Sequence, residues 1–187
     1  LLNALEIQEK NFKEAKIVCA GAGSAGIATL NLLLELGFSK DNILLVDRNG
    51  VVSTKSENLS KEKLAFAVDT DKKTLSDAID GSDVFIGVAR GNLVTQEMVK
   101  SMAKRPIIFA LSNPDPEISP VDVYACRDDV LMATGRSDYP NQVNNVLGFP
   151  YIFRGALDAN SKIINTEMKV AAVHALKDLV KLPASKE

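Results

Sequence analysis

Apolar residues along the chain fall into two alternating patterns. Short continuous apolar runs occupy residues 16–20, 43–47, 83–88, 107–111 and 130–133. Runs of that length, unbroken by polar positions, predict strands buried on both faces of a parallel sheet. Between them the apolar residues recur at helical spacing. A helix is predicted over Ser24–Leu36, where Ile27, Leu30, Leu33 and Leu34 share a face and Gly37 stands at the C-terminal cap position. Further helices are predicted near Ser60–Val68, Thr74–Ile79, Val121–Cys126, Val146–Ala159 and Thr166–Lys181, with another capped by Thr95 and running to Lys104. Strands that alternate with helices predict a doubly wound α/β fold with a mostly parallel sheet.

No internal repeat, low-complexity stretch or domain boundary interrupts this pattern, so residues 1–187 read as one domain. The chain opens without Met, in a segment where Leu1, Leu2, Leu5 and Ile7 lie at near-helical spacing. It reads as a fragment whose N-terminal neighbour is absent. Residues 181–187 read as a helix end and a fraying tail.

Composition narrows the function classes. With 46% hydrophobic and 25% charged residues the chain is an ordinary globular mixture. Its 22 basic and 24 acidic residues leave a net charge of −2, with no basic footprint for nucleic acid. No apolar run is long enough for a membrane span. Cys19 and Cys126 are too few for a disulfide framework, and a reducing cytoplasm is the simplest expectation.

The sharpest local signal is Gly21-Ala22-Gly23-Ser24-Ala25-Gly26, a G-x-G-x-x-G run between a predicted strand and a predicted helix. Gly21 permits the tight turn, Gly23 lets a pyrophosphate approach the backbone, and Gly26 lets the helix pack closely on the sheet. The pyrophosphate would meet the first-turn N–H groups around Ser24 and Ala25 and the positive end of the helix dipole. Asp47 ends the second strand and is placed to accept hydrogen bonds from an adenosine ribose. Its charge would repel a 2′-phosphate, which favours NAD. Arg48, and Lys55, Lys61 or Lys63, could pair with that phosphate and leave NADP open, although solvated surface cations are the plainer reading. With this motif residues 1–187 read as a dinucleotide-binding domain. A glycine turn used only for packing is the bland alternative for the whole motif.

Three loops leave the carboxyl ends of the later strands, where ligands bind in open α/β sheets. Gly87 to Asn92 would carry Val88 and Ala89 past a cofactor, or serve as a plain turn. Ser112-Asn113-Pro114-Asp115-Pro116-Glu117 is stiffened by its prolines and presents Asn113, an amide that can donate to a carboxylate or carboxamide; a self-capping turn is the alternative. The third loop, Thr134 to Asn145, is long and polar and ends in Asn144 and Asn145, of which helix capping explains one.

Three segments then carry a resemblance: Lys16-Ile-Val-Cys-Ala-Gly-Ala-Gly-Ser-Ala-Gly-Ile, Phe109-Ala-Leu-Ser-Asn-Pro, and Ala133-Thr-Gly-Arg-Ser-Asp-Tyr-Pro-Asn-Gln-Val-Asn-Asn-Val-Leu-Gly-Phe-Pro. Together they resemble the malic enzyme family, in its bacterial-type C-terminal NAD(P)-binding domain. The resemblance implies oxidative decarboxylation of L-malate to pyruvate and CO2, reduction of NAD or NADP, a divalent Mg2+ or Mn2+, and a homo-oligomer, a homodimer or larger. It implies that Asn113 and one of Asn144 and Asn145 reach the malate or nicotinamide end of the site. The family's metal-binding acids, lysine base and tyrosine acid lie before Leu1, so no catalytic residue and no metal ligand is expected in this chain. Asp115, Glu117, Asp122, Asp128, Asp129, Asp138 and His174 form no evident substitute set. Two other readings stay open on the residues alone: the cofactor domain of an amino acid or shikimate-type dehydrogenase, and a nucleotide-sensing domain without chemistry.

Overall fold

A computed structural model describes residues 1–180. Six strands form one sheet: β1 (Ile17–Ala20), β2 (Ile43–Asp47), β3 (Gly50–Val51), β4 (Val84–Gly87), β5 (Ile107–Ala110) and β6 (Leu131–Thr134), in the order β3-β2-β1-β4-β5-β6. All neighbours pair in parallel except β2 and β3. The helices are α1 (Leu2–Ile7), α2 (Ser24–Glu35), α3 (Lys61–Leu64), α4 (Leu75–Ile79), α5 (Gln96–Ser101), α6 (Pro120–Tyr124), α7 (Tyr151–Asp158) and α8 (Thr166–Asp178).

The apolar runs become strands because each face of the sheet has its own core. Ile17, Cys19, Ile43, Leu45, Val84, Ile86 and Ile107 point to one face and pack with Leu30 and Leu33 of α2 and with Ala4 and Leu5 of α1. Val18, Ala20, Val46, Phe85, Ile108 and Met132 point to the other, with Ala78, Ile79, Val99 and Val123 from α4, α5 and α6. A strand with both faces covered has no polar positions to alternate. β1 pairs with β2 on one side and β4 on the other, so the chain reverses direction across the sheet at β1. That switch point is where such sheets open a crevice.

Helix α2 ends as the sequence predicts. Gly37 takes φ +90, its N–H donates to the Leu34 carbonyl, and the Phe38 N–H donates to the Leu33 carbonyl at 3.1 Å. Only glycine adopts that backbone without strain.

Five elements differ from expectation. The helix expected over Ser60–Val68 shrinks to α3, because the chain from Val52 to Val68 instead forms a parallel bridge between Ser53 and Val68. The helix expected to reach Lys104 stops at Ser101. The helix expected over Val146–Ala159 is a 3-10 turn, Asn145–Leu147, and then α7. Pro150 separates the two, since it has no N–H to donate and its ring clashes with the preceding turn. The short antiparallel β3 has no counterpart in the apolar pattern. The helix expected to reach Lys181 ends at Asp178, with Leu179 as its cap, and the expected tail lies outside the described residues.

One ion pair fixes the end of α5. Arg127 donates to the carbonyls of Val99 and Met102 at 3.0 Å and of Ala103 at 2.9 Å, and grips Asp129 through two nitrogens at 2.8 Å. The Arg127 guanidinium, against the opposing effect of burial and with help from the Arg105 N–H, holds the Asp129 carboxyl at about 2, below the ordinary 3.8. A carboxyl depressed in the folded state stabilises the fold at pH values above its unfolded pKa, and that stabilisation is lost as pH falls through the folded one. Acid unfolding followed by circular dichroism is therefore expected to be less steep for Asp129→Asn than for the wild type between about pH 4 and about pH 2. Identical slopes in that window would contradict the pairing.

Candidate cofactor crevice

At the C-terminal ends of β1, β2 and β4 lies an open cleft of about 750 Å3. Gly21, Gly23, Asp47, Arg48, Lys63, Lys73, Ala89 and Arg90 are among its walls. The glycine run makes its floor. Gly21 leaves β1 at φ +119, and a Cβ there would lie 2.7 Å from the Val88 carbonyl oxygen. Gly26 is buried, and a Cβ there would lie 1.8 Å from the Gly21 carbonyl oxygen. The first turn of α2 is therefore pressed directly onto the strand end. Gly23 differs: its Cβ would meet no protein atom within 4 Å. What the missing side chain leaves open is cleft space.

Helix α2 begins at Gly23 with no side-chain cap and no acidic residue in its first turn. Among the described residues no side chain or anion caps its leading N–H groups, and a helix of 12 residues carries its full dipole behind them. The donor set suits a phosphate. These are the features of a dinucleotide cradle, and the residues present fit such a group.

Across the cleft stands Asp47. Its Oδ2 lies 2.5 Å from the Lys63 ammonium and its Oδ1 accepts the Asn49 N–H at 2.8 Å. Burial would raise its pKa, but the Lys63 and Asn49 hydrogen bonds and the Lys63 and Arg48 charges hold the carboxyl below the usual range. Both partners are largely covered, at 27% exposure for the Lys63 side chain and 10% for Asp47. Among the cations considered from sequence, Lys63 and Arg48 line the cleft. Lys55 pairs with Asp71 at 3.2 Å and with Asp69 at 3.6 Å instead. Lys73, which no sequence signal marked, joins the wall through the hairpin contact in which the Val51 N–H donates to the Lys73 carbonyl at 2.8 Å. Below the cleft Cys19 is wholly buried, and burial, and secondarily the Glu117 charge, push its thiol up to about 12, away from the thiolate that nucleophilic chemistry needs.

Val88 is half-buried and packs against the core, while Ala89 is exposed to the cleft. Ser24 and Ala25 are exposed at the start of α2. Asn113, Asn144 and Asn145 do not line this cleft; they stand on the loops after β5 and β6, farther along the same sheet edge. Those two loops meet. The Arg136 guanidinium grips Asp138 at 2.7 and 2.8 Å, reaches the Pro114 carbonyl at 3.3 Å, and lies 5.5 Å from the centre of the Tyr139 ring. A Cβ on Gly135 would stand 3.3 Å from Asn113 Nδ2. The peptide bond between Asn113 and Pro114 is cis. Asn144 caps the 3-10 turn by accepting the Val146 N–H at 3.0 Å, so capping accounts for one of the two asparagines, as the bland reading has it. Asn145 is exposed and its side chain makes no hydrogen bond among the described residues.

The family model described as malic enzyme, NAD binding domain, matches residues 1–187. An NADP-dependent malic enzyme of Halomonas elongata is 56% identical over 98% of this chain and 43% of its own length. An NAD-dependent malic enzyme of Rhizobium meliloti is 48% identical over 97% of this chain and 24% of its own. The crystal structure of malic enzyme from Pyrococcus horikoshii superposes with a TM-score of 0.90 at 34% identity, over 99% of this chain and 45% of that one. The chain thus spans less than half the length of each of these relatives. No helix among the described residues is long and apolar enough to cross a membrane. The crevice at the switch point, the glycine cradle and a match along the full length point one way: this chain belongs to the malic enzyme family, as its NAD-binding domain.

Proposed function

We propose that this chain is the cofactor half of an NADP-dependent malic enzyme, in which L-malate and NADP+ give pyruvate, CO2 and NADPH. One observation carries the cofactor choice: the acid that would repel a 2′-phosphate, Asp47, is already paired with Lys63 in a wall that also holds Arg48 and Lys73. In this reading the first-turn N–H groups at Ser24, Ala25 and Gly26 take the pyrophosphate. Arg48, Lys63 and Lys73 take the 2′-phosphate, and Val88 and Ala89 carry the β4 loop past the cofactor. The bound nucleotide supplies the hydride acceptor. Asn113 and Asn145 orient the malate or nicotinamide amide and carboxylate groups from the neighbouring loops. Asn144 supports Asn145 by holding its turn.

The described residues do not fit a divalent cation. No group of three or more His, Cys, Asp or Glu is arranged to hold one among them. Asp47, Asp129 and Asp138 are each spent on a cation. We therefore assign Mg2+ or Mn2+, and the base and acid the chemistry needs, to the N-terminal substrate and metal domain of the same polypeptide. That domain has a surface to meet. Val146, Leu147, Phe149, Tyr151, Phe153 and Leu157 leave an apolar patch exposed on α7 and the turn before it, beside Asn145. The homodimer and the cytoplasmic location belong to the same proposal, the latter resting on Cys19 and Cys126 as free thiols.

The test is malate-dependent reduction of NADP+ by the whole enzyme with Mn2+, followed at the NADPH absorbance band. Activity that needs malate, nucleotide and metal together is expected. Nucleotide reduction with an amino acid or a shikimate-like substrate and none with malate would overturn the reading.

A further inference from the structure

Glu117 is the charged residue that the cofactor reading leaves without a task. It is 0% exposed and forms no ion pair among the described residues. A carboxyl buried without a cation needs hydrogen-bond donors. It has two, and they come from different loops. Oε1 accepts the Ala89 N–H at 2.9 Å, and Oε2 accepts the Ser112 N–H at 3.2 Å. The main chain of the same segment adds three more ties to the β4 loop. The Glu117 carbonyl accepts the N–H groups of Leu93 and Val94 at 2.8 and 2.9 Å, and the Pro116 carbonyl accepts that of Asn92 at 3.0 Å. Room for the side chain comes from Gly87, where a Cβ would lie 2.3 Å from the Glu117 carboxyl carbon.

We propose that Glu117 is a positioning residue that locks the nucleotide-facing loop after β4 to the Asn113 loop after β5, so that cofactor binding and placement of Asn113 are mechanically coupled. Ala89 and Leu93 line the cleft, and Ser112 is the residue before Asn113. The inference rests on the reading of the cleft as the nucleotide site. Its chemistry is specific. Two N–H donors converge on one side chain, so both of its terminal atoms must accept. A carboxamide of the same size has a single acceptor and turns an NH2 toward one of the two donors.

The experiment uses the whole enzyme and hydrogen–deuterium exchange read on peptides spanning residues 86–95 and 109–119. In the wild type the probe is ADP, which lacks the nicotinamide and cannot touch Asn113 directly. Saturating ADP is expected to slow exchange in both peptides, although no residue of 111–119 lines the cleft. In Glu117→Gln, exchange in both peptides is expected to rise while the remaining peptides keep wild-type rates. The NADP+ dissociation constant, measured by calorimetry, is expected to weaken about tenfold, the effect of losing one charge-assisted hydrogen bond. A buried glutamate that only stabilised the fold would lower the melting temperature and leave the ADP coupling and the affinity of the folded enzyme as they were. Should the variant fail to fold, the wild-type ADP arm decides alone. Slowing confined to 86–95 would overturn the coupling with the cleft reading intact. No ADP or NADP+ binding by the wild type would overturn the cleft reading, and the coupling with it.

Discussion

Replacing Gly26 with alanine is expected to destabilise the fold by about 3 kcal/mol or more and to abolish nucleotide binding, whereas alanine at Gly23 is expected to abolish tight binding alone. The two glycines sit three residues apart in one motif but face different things. At Gly26 the added carbon would lie 1.8 Å from the Gly21 carbonyl oxygen and 3.4 Å from Cys19 Sγ. Neither can give: Gly21 is locked by its N–H bond to the Val46 carbonyl at 2.9 Å, and Cys19 is wholly buried in β1. Relief requires moving α2 off the sheet, which pulls Leu30 and Leu33 from the core they share with β1 and β2. At Gly23 no protein atom lies within 4 Å, so stability should stay within about 0.5 kcal/mol of wild type. The methyl group would instead occupy the space before the first-turn N–H groups. Urea unfolding and calorimetric titration of both variants separate the effects. Wild-type nucleotide affinity in Gly23→Ala would mean that no phosphate group lies there.

A preference for NADP+ over NAD+ that disappears in Lys63→Ala is the second large effect expected. In the wild type the Lys63 ammonium sits 2.5 Å from Asp47 Oδ2, and Arg48 and Lys73 stand on the same wall. A 2′-phosphate entering this wall meets a carboxylate already compensated and cations with donors to spare. Without Lys63 the Asp47 charge is exposed to the phosphate and repels it. Asp47 also loses its largest stabilising partner, so its pKa should rise toward the ordinary value. One charge-assisted hydrogen bond lost and one repulsion gained correspond to roughly 10–100-fold weaker NADP+ binding. NAD+ carries no 2′-phosphate and should bind as before or better, because Asp47 is freed to accept the ribose hydroxyls. The preference should also shrink as salt rises, since Arg48 is exposed and its attraction is screened.

The first turn of this fold was readable because each of its signals is local. An apolar run, three glycines, a helical stripe and the cap at Gly37 are neighbours in sequence, and each has a single physical use. The strands were readable because two covered faces leave no polar positions. Other features depend on partners distant in the chain. Lys63 reaches Asp47 across 16 residues only because the chain after β2 folds back through the β3 hairpin; Asn49-Gly50 marks that turn, but a two-residue strand is too short to show as an apolar run. Lys73 arrives by the same hairpin. Glu117 reads as an ordinary acid between prolines, and its burial follows from a glycine thirty residues earlier that makes room for it. Arg136 was visible as part of a motif, but its grip on Asp138 and on the Asn113 loop was not. Pro150 is a missed local signal: its position alone marks the break between the 3-10 turn and α7.

The measurement that bears most directly on the cofactor assignment is calorimetric titration of the whole enzyme, wild type and Lys63→Ala, with NADP+ and NAD+ at one fixed salt concentration. Tighter binding of NADP+ than of NAD+ by the wild type, by about tenfold or more and lost in the variant, is the expected result. Equal affinities in the wild type, or a preference that survives removal of Lys63, would contradict the placement of the 2′-phosphate against Arg48, Lys63 and Lys73.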